Sequence, residues 1–291
     1  MSHRRPVRRA RLAAVSAAGL ALAAGLATTA SATQDHHAKP AGRPGVKPTV
    51  VLVHGAWADS AGWTGVAKRL QADGYTVAAP ANPLRGLRSD AAYLADYLKT
   101  INGPVILVGH SYGGAVITNA ATGNPHVKAL VYVAAFAPDK GESIADLVGK
   151  FPGSHLSDDP NAPVPTALNA VPFTQADGGT GVDLYIKPDK FRDVFMSNRV
   201  SKSKAAALAA TQRPLTAQAV GEPSATTPAW KTIPSWYLVA RDDRAIPAAA
   251  ERFMAARAHA RTVEADAPHA VHLTDPKAVT RLIEKAATTT R

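Results

Sequence analysis

Residues 104–114 read PVILVGHSYGG, and this stretch predicts the architecture of the chain. The apolar residues 105–108 lead directly into Gly109, and an Ala-, Ile- and Thr-rich stretch of helical character follows Gly114. A strand, a very tight turn and a helix are therefore predicted, with Ser111 at the apex of the turn. The G-x-S-x-G spacing suits a serine in a strained backbone conformation, because side chains two residues away on either side would collide. A serine in a purely structural, glycine-rich turn is the alternative.

Apolar and helical segments alternate on both sides of this motif. Strands are predicted at 49–53, 75–79, 105–108, 127–135, 235–240 and 261–264. Helices are predicted at 62–72, from a Ser89 cap to about 100, and at 112–122, 248–258 and 277–287. Strands that are apolar throughout and alternate with helices indicate a parallel sheet covered on both faces. The predicted fold class is therefore α/β, with a six-stranded, mostly parallel sheet.

The segment between about residues 138 and 230 differs from the rest. It contains many prolines, the pair Gly178 and Gly179, and short helical pieces at 190–196 and 203–211. A connection this long between two sheet strands is typical of a cap over a ligand site rather than of a loop. We expect a core formed by residues 49–137 and 231–291, with a helical cap insert at 138–230.

The first 32 residues have the pattern of a secretory signal peptide. Five arginines between positions 4 and 11 precede an Ala/Leu-rich stretch at 12–26, and Ala30-Ser31-Ala32 fits an A-x-A cleavage site. The apolar stretch is shorter than the roughly 20 residues that span a bilayer, which disfavours an uncleaved membrane anchor. We expect cleavage after Ala32, export by the Sec or Tat route, a secreted protein, and a flexible arm at 33–48.

Charge and cysteine content exclude several classes of function. The net charge of +11 falls to +6 without the leader, which holds five arginines and no acidic residue. No Lys/Arg run or aromatic-basic interleaving is present, so nucleic acid is not an expected partner. The absence of cysteine excludes disulfides, thiolate catalysis and Cys-ligated metals. No metal or other cofactor is expected, since the pair His36 and His37 lies in the predicted arm. The oligomeric state stays open.

Two later strand ends carry the residue types that Ser111 would need as a nucleophile. A serine hydroxyl requires a base within hydrogen-bond reach, and the base requires an orienting carboxylate. Asp242 and Asp243 follow the predicted strand at 235–240, and His269 and His272 follow the one at 261–264. The chain order Ser, Asp, His differs from that of chymotrypsin and of subtilisin.

From residue 49 to the C-terminus, the chain resembles the α/β-hydrolases. It is most similar to the small six-stranded branch of plant methylesterases, hydroxynitrile lyases and bacterial esterases. Four blocks carry the resemblance in sequence order: VLVHGAW, GHSYGG, DRAIP and HAVHLTDP. The resemblance implies Ser111 as nucleophile, His269 as base and Asp243 as orienting acid, because the family's acid lies four residues before the proline. Asp242 and His272 are the alternatives for the acid and the base.

The resemblance also implies two backbone donors for an oxyanion. The N–H of Tyr112, directly after the nucleophile, is one expected donor, and the N–H of Ala56 is the other. Trp57, Phe136 and Tyr185 are the candidates for the walls of an acyl or alcohol pocket, and packing in the core is the alternative for each of them.

Three further residues of the matching blocks do not fit a direct role in catalysis. We expect His54 and His110 to be structural. Pro268 stands where the family usually has glycine before its base, and a proline there predicts a stiffer loop without preventing the triad.

The implied function is that of a secreted serine hydrolase, which cleaves a small-molecule carboxylic ester through an acyl-enzyme on Ser111. A hydroxynitrile lyase is one alternative, although those enzymes carry Thr at the position of Ala56 and a Lys near the acid that this chain lacks. A perhydrolase or haloperoxidase activity on the same triad and a non-catalytic ligand-binding homologue are the others. Dehalogenases and epoxide hydrolases are disfavoured because they place Asp at the position of Ser111. The sequence leaves the acyl group open.

Overall fold

The computed structural model describes residues 47–159 and 161–290. The predicted signal peptide at 1–32 lies outside the described residues, as does nearly all of the predicted arm at 33–48. Within the described part of the chain, no helix combines the length and the apolar character needed to cross a bilayer.

Nine strands and ten α-helices are assigned in the described residues. The strands are β1 (Thr49–Val53), β2 (Val77–Ala78), β3 (Val105–Ser111), β4 (Val127–Ala135), β5 (Leu168–Thr174), β6 (Thr180–Ile186), β7 (Leu215–Thr216), β8 (Ser235–Ala240) and β9 (Arg261–Ala265). The helices are α1 (Thr64–Ala72), α2 (Leu87–Leu98), α3 (Tyr112–Ala120), α4 (Ile144–Gly149), α5 (Pro188–Val194), α6 (Lys202–Ala210), α7 (Ala217–Gly221), α8 (Ala248–Arg257), α9 (Val271–Thr274) and α10 (Pro276–Thr289). Short 3-10 helices lie at Ser60–Trp63 and Ala229–Lys231.

Six of the strands form one sheet in the order β2-β1-β3-β4-β8-β9, and all neighbouring strands are parallel. The predicted α/β fold with a six-stranded sheet is therefore confirmed. The strand order reverses between β1 and β3, and such a switch point opens a crevice at the carboxyl ends of the strands. The ends of β1, β3, β8 and β9 consequently meet at one edge of the sheet.

Helices cover both faces of the sheet, because its strands are apolar on both sides. In β1, Val50 and Leu52 pack in the hydrophobic cluster that includes residues of α1 and α10. Val51 and Val53 point the other way, into the cluster that includes residues of α2, α3 and α8. This alternation is what a strand imposes on successive side chains.

Several predicted element ends differ from the structure by one to three residues, and two of these differences have a plain cause. β2 contains two residues rather than the predicted 75–79. β2 is the outermost strand on its side of the sheet, and only Val77 and Ala78 pair with β1. α2 begins at Leu87, so Ser89 is not its cap; the Ser89 hydroxyl instead donates to the carbonyl oxygen of Gly86 (3.0 Å).

The insert between β4 and β8 is a mixed α/β structure, so the expectation of a helical cap was incomplete. Helices α5 and α6 lie close to the predicted helical pieces, but β5, β6 and β7 form a three-stranded antiparallel sheet that was not predicted. β5 and β6 are joined by a short turn, in which the Gln175 N–H donates to the carbonyl oxygen of Gly179 (2.8 Å).

Candidate active site

Ser111 ends β3 and precedes α3 in a backbone conformation that side chains rarely adopt. Its φ is 53° and its ψ is −126°. A non-glycine residue with positive φ is strained and persists only where the surrounding structure enforces it. The conformation matches the strained turn predicted from the G-x-S-x-G spacing.

The glycines around Ser111 leave no room for a side chain. A Cβ on Gly109 would lie 2.6 Å from the carbonyl oxygen of Gly113, and a Cβ on Gly113 would lie 2.5 Å from that of Val53. A Cβ on Gly114 would collide with the carbonyl oxygen of the residue that follows β4. The turn is thus held by backbone contacts that only glycine permits.

The structure brings together the three side chains predicted to form a triad. Ser111 Oγ lies 2.9 Å from His269 Nε2, and His269 Nδ1 lies 2.5 Å from Asp243 Oδ2. The other carboxylate oxygen of Asp243 accepts from the N–H groups of Ala245 and Ile246, both at 2.7 Å. Since the carboxylate accepts from Nδ1–H, the neutral imidazole has Nε2 free to accept the serine proton.

The alternative acid and base lie elsewhere. Asp242 forms an ion pair with Arg199 (2.7 Å), and the side chains of both residues are about one-third exposed. His272 is buried, and neither of its ring nitrogens has a hydrogen-bond partner among the described residues. Burial lowers the pKa of His272 to about 3. The structure therefore does not bring Asp242 to His269 or His272 to Ser111.

His110 orients the backbone of the candidate base. Its Nε2–H donates to the carbonyl oxygen of His269 (3.0 Å), and the two rings lie 4.7 Å apart. Burial lowers the pKa of His110 well below its usual value, so the ring is neutral. The structural role predicted for His110 fits these contacts.

His54 fixes the peptide that precedes Ala56. Its Nε2 accepts from the Asn82 N–H (2.9 Å), so Nδ1 carries the proton and donates to the carbonyl oxygen of Gly55 (2.9 Å). A peptide unit is planar with its C=O and N–H on opposite sides. The bond to the Gly55 oxygen thus directs the Ala56 N–H away from His54. Burial lowers the pKa of His54 and keeps its ring neutral.

The two predicted oxyanion donors both lie at the cavity that contains Ser111. The Ala56 N–H donates to no acceptor within the described residues. Tyr112 is the first residue of α3, so its N–H has no intrahelical acceptor. The Tyr112 hydroxyl donates to the buried Asp90 (2.8 Å), which anchors the start of the helix.

A cavity of about 750 Å³ opens beside Ser111. Trp57 and Phe136 line it as predicted, whereas Tyr185 does not. Tyr185 lies on β6, and the preceding residue, Leu184, lines the cavity in its place. Neighbouring side chains of a strand point to opposite faces, which explains the error.

Trp57 links the core to the insert. It has a positive φ of 58° and lies directly after Ala56. Its backbone N–H donates to the carbonyl oxygen of Arg213 (2.8 Å), and its Nε1–H donates to that of Leu184 (3.0 Å). One residue therefore connects the loop after β1 to two segments of the insert.

Comparison with known proteins identifies the family of the chain. The model of the alpha/beta hydrolase family matches residues 50–282, which is most of the chain. This chain belongs to the α/β-hydrolase family. The enzyme class expected from the sequence is confirmed at this level, and the residue roles remain predictions.

Three similar proteins illustrate the range of this α/β hydrolase's relatives. A carbendazim hydrolyzing esterase of Nocardioides sp. (strain SG-4G) is 37% identical over 113 residues. The match covers 34% of this chain and 47% of that relative. A pyrethroid hydrolase of Sphingobium wenxiniae is 30% identical over 219 residues, covering 70% of this chain and 74% of the relative. The solved structure of an extracellular alpha/beta-hydrolase from a Paenibacillus species has a TM-score of 0.63 and 27% identity, and covers 82% of this chain and 99% of that one.

Two buried carboxyl groups of this α/β hydrolase were not singled out from the sequence. Asp90 of α2 binds Tyr112, and Glu251 of α8 lies beside Asp243. Each stands in a helix that also has exposed residues, where a charged side chain ordinarily faces water. No feature of the sequence distinguishes them. Within residues 47–159 and 161–290, no group of three or more His, Asp or Glu side chains has an arrangement suited to a metal ion.

Proposed function

We propose that this α/β hydrolase is a secreted carboxylesterase, which cleaves bulky, uncharged esters through an acyl-enzyme on Ser111. His269 acts as the general base and Asp243 as the orienting acid. The observation that carries the proposal is the continuous chain of contacts from Ser111 Oγ through His269 to Asp243, located at a cavity with two available backbone N–H groups.

In the acylation step, Ser111 Oγ attacks the ester carbonyl carbon as its proton passes to His269 Nε2. The carbonyl oxygen becomes an oxyanion, which the N–H groups of Ala56 and Tyr112 stabilise. Each such donor contributes on the order of 10²–10³ in rate. The intermediate collapses when the C–O bond to the alcohol breaks and His269 returns the proton to the leaving oxygen.

In the deacylation step, His269 takes a proton from water as the water oxygen attacks the acyl carbon. The second tetrahedral intermediate uses the same two N–H donors. Breaking the bond to Ser111 Oγ releases the carboxylic acid, and the proton on His269 returns to the serine. Asp243 stays ionised throughout and stabilises the imidazolium.

The cavity supports bulky, uncharged esters as substrates. Its volume of about 750 Å³ lies in the upper part of the roughly 300–1,000 Å³ range of small-molecule pockets. Its walls are mainly apolar, and among the described residues the only charged ones that line it are Asp158 and Asp159, both exposed. Two carboxylates at the wall disfavour an anionic substrate. The names of the relatives, an esterase and a pyrethroid hydrolase, support the same class.

Secretion is part of the proposal and depends on the leader pattern of residues 1–32. Expression of the full chain in a bacterial host, followed by N-terminal sequencing of the secreted protein, tests it. The expected product begins at Thr33. Retention of the complete chain in the cell would contradict the proposed export.

The catalytic proposal is tested with nitrophenyl esters of increasing acyl length, an aromatic ester, and a monoanionic ester. We expect kcat/KM to rise with acyl size and to fall for the anionic ester. Ser111→Ala should lose at least about 10⁴-fold in kcat, because removal of a triad nucleophile has effects of this size or larger. Ser203→Ala, at an exposed position of α6, is the matched control with unchanged turnover.

Three results would contradict the catalytic proposal. Turnover of the esters by Ser111→Ala at the wild-type rate would exclude the acyl-enzyme. A fluorophosphonate probe that labels no residue of the folded protein would favour a ligand-binding homologue. Release of cyanide from mandelonitrile, with no turnover of the esters, would instead indicate a lyase.

A further inference from the structure

A second carboxyl group, that of Glu251, is buried beside Asp243. Glu251 is 0% exposed, and its Oε2 accepts from the Ala240 N–H (3.1 Å) at the end of β8. Its Oε1 is buried and receives no hydrogen bond from an N–H or hydroxyl group of the described residues. Asp243 adjoins the same residue, because its N–H donates to the carbonyl oxygen of Ala240 (3.2 Å), and its carboxyl group lies within hydrogen-bond range of that of Glu251. Two carboxyl groups can form such a bond only when one of them carries a proton.

The contacts of the two groups decide where that proton lies. Asp243 accepts from Ala245, Ile246 and His269, whereas Glu251 accepts from a single N–H group. Each N–H donor favours the ionised form of the carboxylate that it contacts. The negative charge therefore belongs on Asp243 and the proton on Glu251. In agreement, burial and the neighbouring charge of Asp243 raise the pKa of Glu251 well above its usual value.

Of the other titratable groups around Glu251, Tyr237 does not favour its ionised form, and Arg252 favours it only weakly. The hydroxyl of Tyr237, in β8, donates to the carbonyl oxygen of Ala135, and burial raises its pKa well above the usual value. Arg252, the next residue of α8, directs its guanidinium to Glu264 with contacts of 2.7 and 2.8 Å. Among the described residues, Glu251 has no salt-bridge partner.

We propose that Glu251 is a neutral carboxylic acid whose O–H donates to the Asp243 carboxylate and thereby positions the orienting acid of the triad. This inference rests on the proposed role of Asp243. The Asp243 carboxylate already accepts three hydrogen bonds, and the bond from Glu251 adds a fourth. The four donors together restrain the orientation of this carboxylate towards His269. Glu251 touches no reacting atom and acts only through Asp243.

Kinetics of three variants as a function of pH test the proposal. Glu251→Gln keeps a donor for Asp243 and an acceptor for Ala240, so we expect kcat/KM within about threefold of wild type and an unmoved acidic limb of the pH profile. Glu251→Leu removes both, and we expect a loss of about 10- to 100-fold in kcat with little change in KM, as expected for one hydrogen bond to a charged group. Its acidic limb should move to higher pH, because an Asp243 carboxylate with one donor fewer stabilises an imidazolium more strongly.

Glu264→Gln is the matched control. It removes a carboxylate of β9 that pairs at the protein surface with Arg252, the residue after Glu251 in α8. We expect wild-type kinetics.

Two kinetic results would overturn the proposal. If the acidic limb of Glu251→Gln moves to lower pH by about one unit, Glu251 is ionised in the wild-type protein, because loss of a nearby negative charge disfavours the imidazolium. If Glu251→Leu folds and has wild-type kcat and pH profile, Glu251 does not position Asp243.

An infrared measurement covers the case in which Glu251→Leu does not fold. The difference spectrum between wild type and Glu251→Gln at neutral pH should contain a protonated carboxyl C=O band that only the wild type contributes. Absence of that band would overturn the proposal. The measurement needs no turnover, so failure of the proposed function, seen as full activity of Ser111→Ala, is distinguishable from failure of this inference.

Discussion

The parallel sheet and the insert that covers it contribute to the candidate site in different ways. The sheet contributes buried polar groups at the ends of separate strands: Ser111 at β3, Asp243 after β8 and His269 after β9. The insert contributes mainly cavity walls, among them Val148 and Leu184. Chemistry in this fold depends on fixed backbone positions, whereas the choice of substrate depends on the shape of a more variable segment.

The two adjacent aspartates after β8 show the same division within one loop. Asp243 turns inward to His269 and is 6% exposed, whereas Asp242 turns outward and pairs with Arg199 of the insert. The Asp243 carboxylate binds the imidazole of His269, and the Asp242 carboxylate binds a residue of the insert. Paired substitutions, each with one member buried in the core and one that is more exposed, test this contrast.

The largest effect is expected from replacing the two aspartates one at a time. Asp243→Asn should lower kcat by about 10⁴-fold, because an amide in this place favours the wrong imidazole tautomer. Asp242→Asn should change kcat by less than about twofold. It should lower the free energy of unfolding by less than about 1 kcal/mol, as for exposed ion pairs. Ester hydrolysis and urea unfolding of both variants measure these effects. Equal losses of kcat would contradict the assignment of Asp243.

A second effect is expected from adding one methyl group in each region. Gly113→Ala should lower the free energy of unfolding by about 2–3 kcal/mol, because the new Cβ would lie 2.5 Å from a backbone oxygen of β1. Gly221→Ala, at the end of α7 in the insert, has open space around the new Cβ and should be neutral or stabilising by up to about 1 kcal/mol. Thermal unfolding of the wild type and of both variants measures these changes in the free energy of unfolding. The contrast fails if both variants unfold alike.

The smallest effect, counted per pH unit, is expected from one buried histidine of the core, His272. The pKa of His272 is lowered to about 3 by burial, so between about pH 6.5 and 3 the unfolded chain binds a proton that the folded chain does not. The free energy of unfolding therefore falls as the pH falls, by about 1.4 kcal/mol per pH unit from this residue. His272→Phe should reduce the slope by that amount, and His126→Phe, at an exposed position, should not. Identical slopes for wild type and His272→Phe would contradict a neutral, buried imidazole.

The sheet and the residues at its edge could be predicted because local sequence constrains them. The glycines beside Ser111 have no alternative on steric grounds, and the apolar strands alternate with helices at regular spacing. The choice of Asp243 over Asp242 needed the family's spacing to Pro247, since both aspartates follow the same strand. Only the contacts of the folded chain distinguish them physically.

The insert could be predicted only as a covering segment. Its hairpin of β5 and β6 was missed, although the turn residues Asp177, Gly178 and Gly179 precede a stretch with alternating apolar residues in β6, which is part of a hairpin signal. Pro172 within β5 obscured that pattern. Glu251 was missed for a different reason: burial of a helical carboxyl group depends on long-range packing that local sequence does not report.

At Ser111, the strained backbone lowers stability while the side chain is needed for catalysis. A glycine there would relax the positive φ and remove the reactive hydroxyl in the same step. Laboratory evolution that selects only for heat resistance would therefore be drawn towards an inert protein at this codon, and any such campaign needs an activity screen in every round.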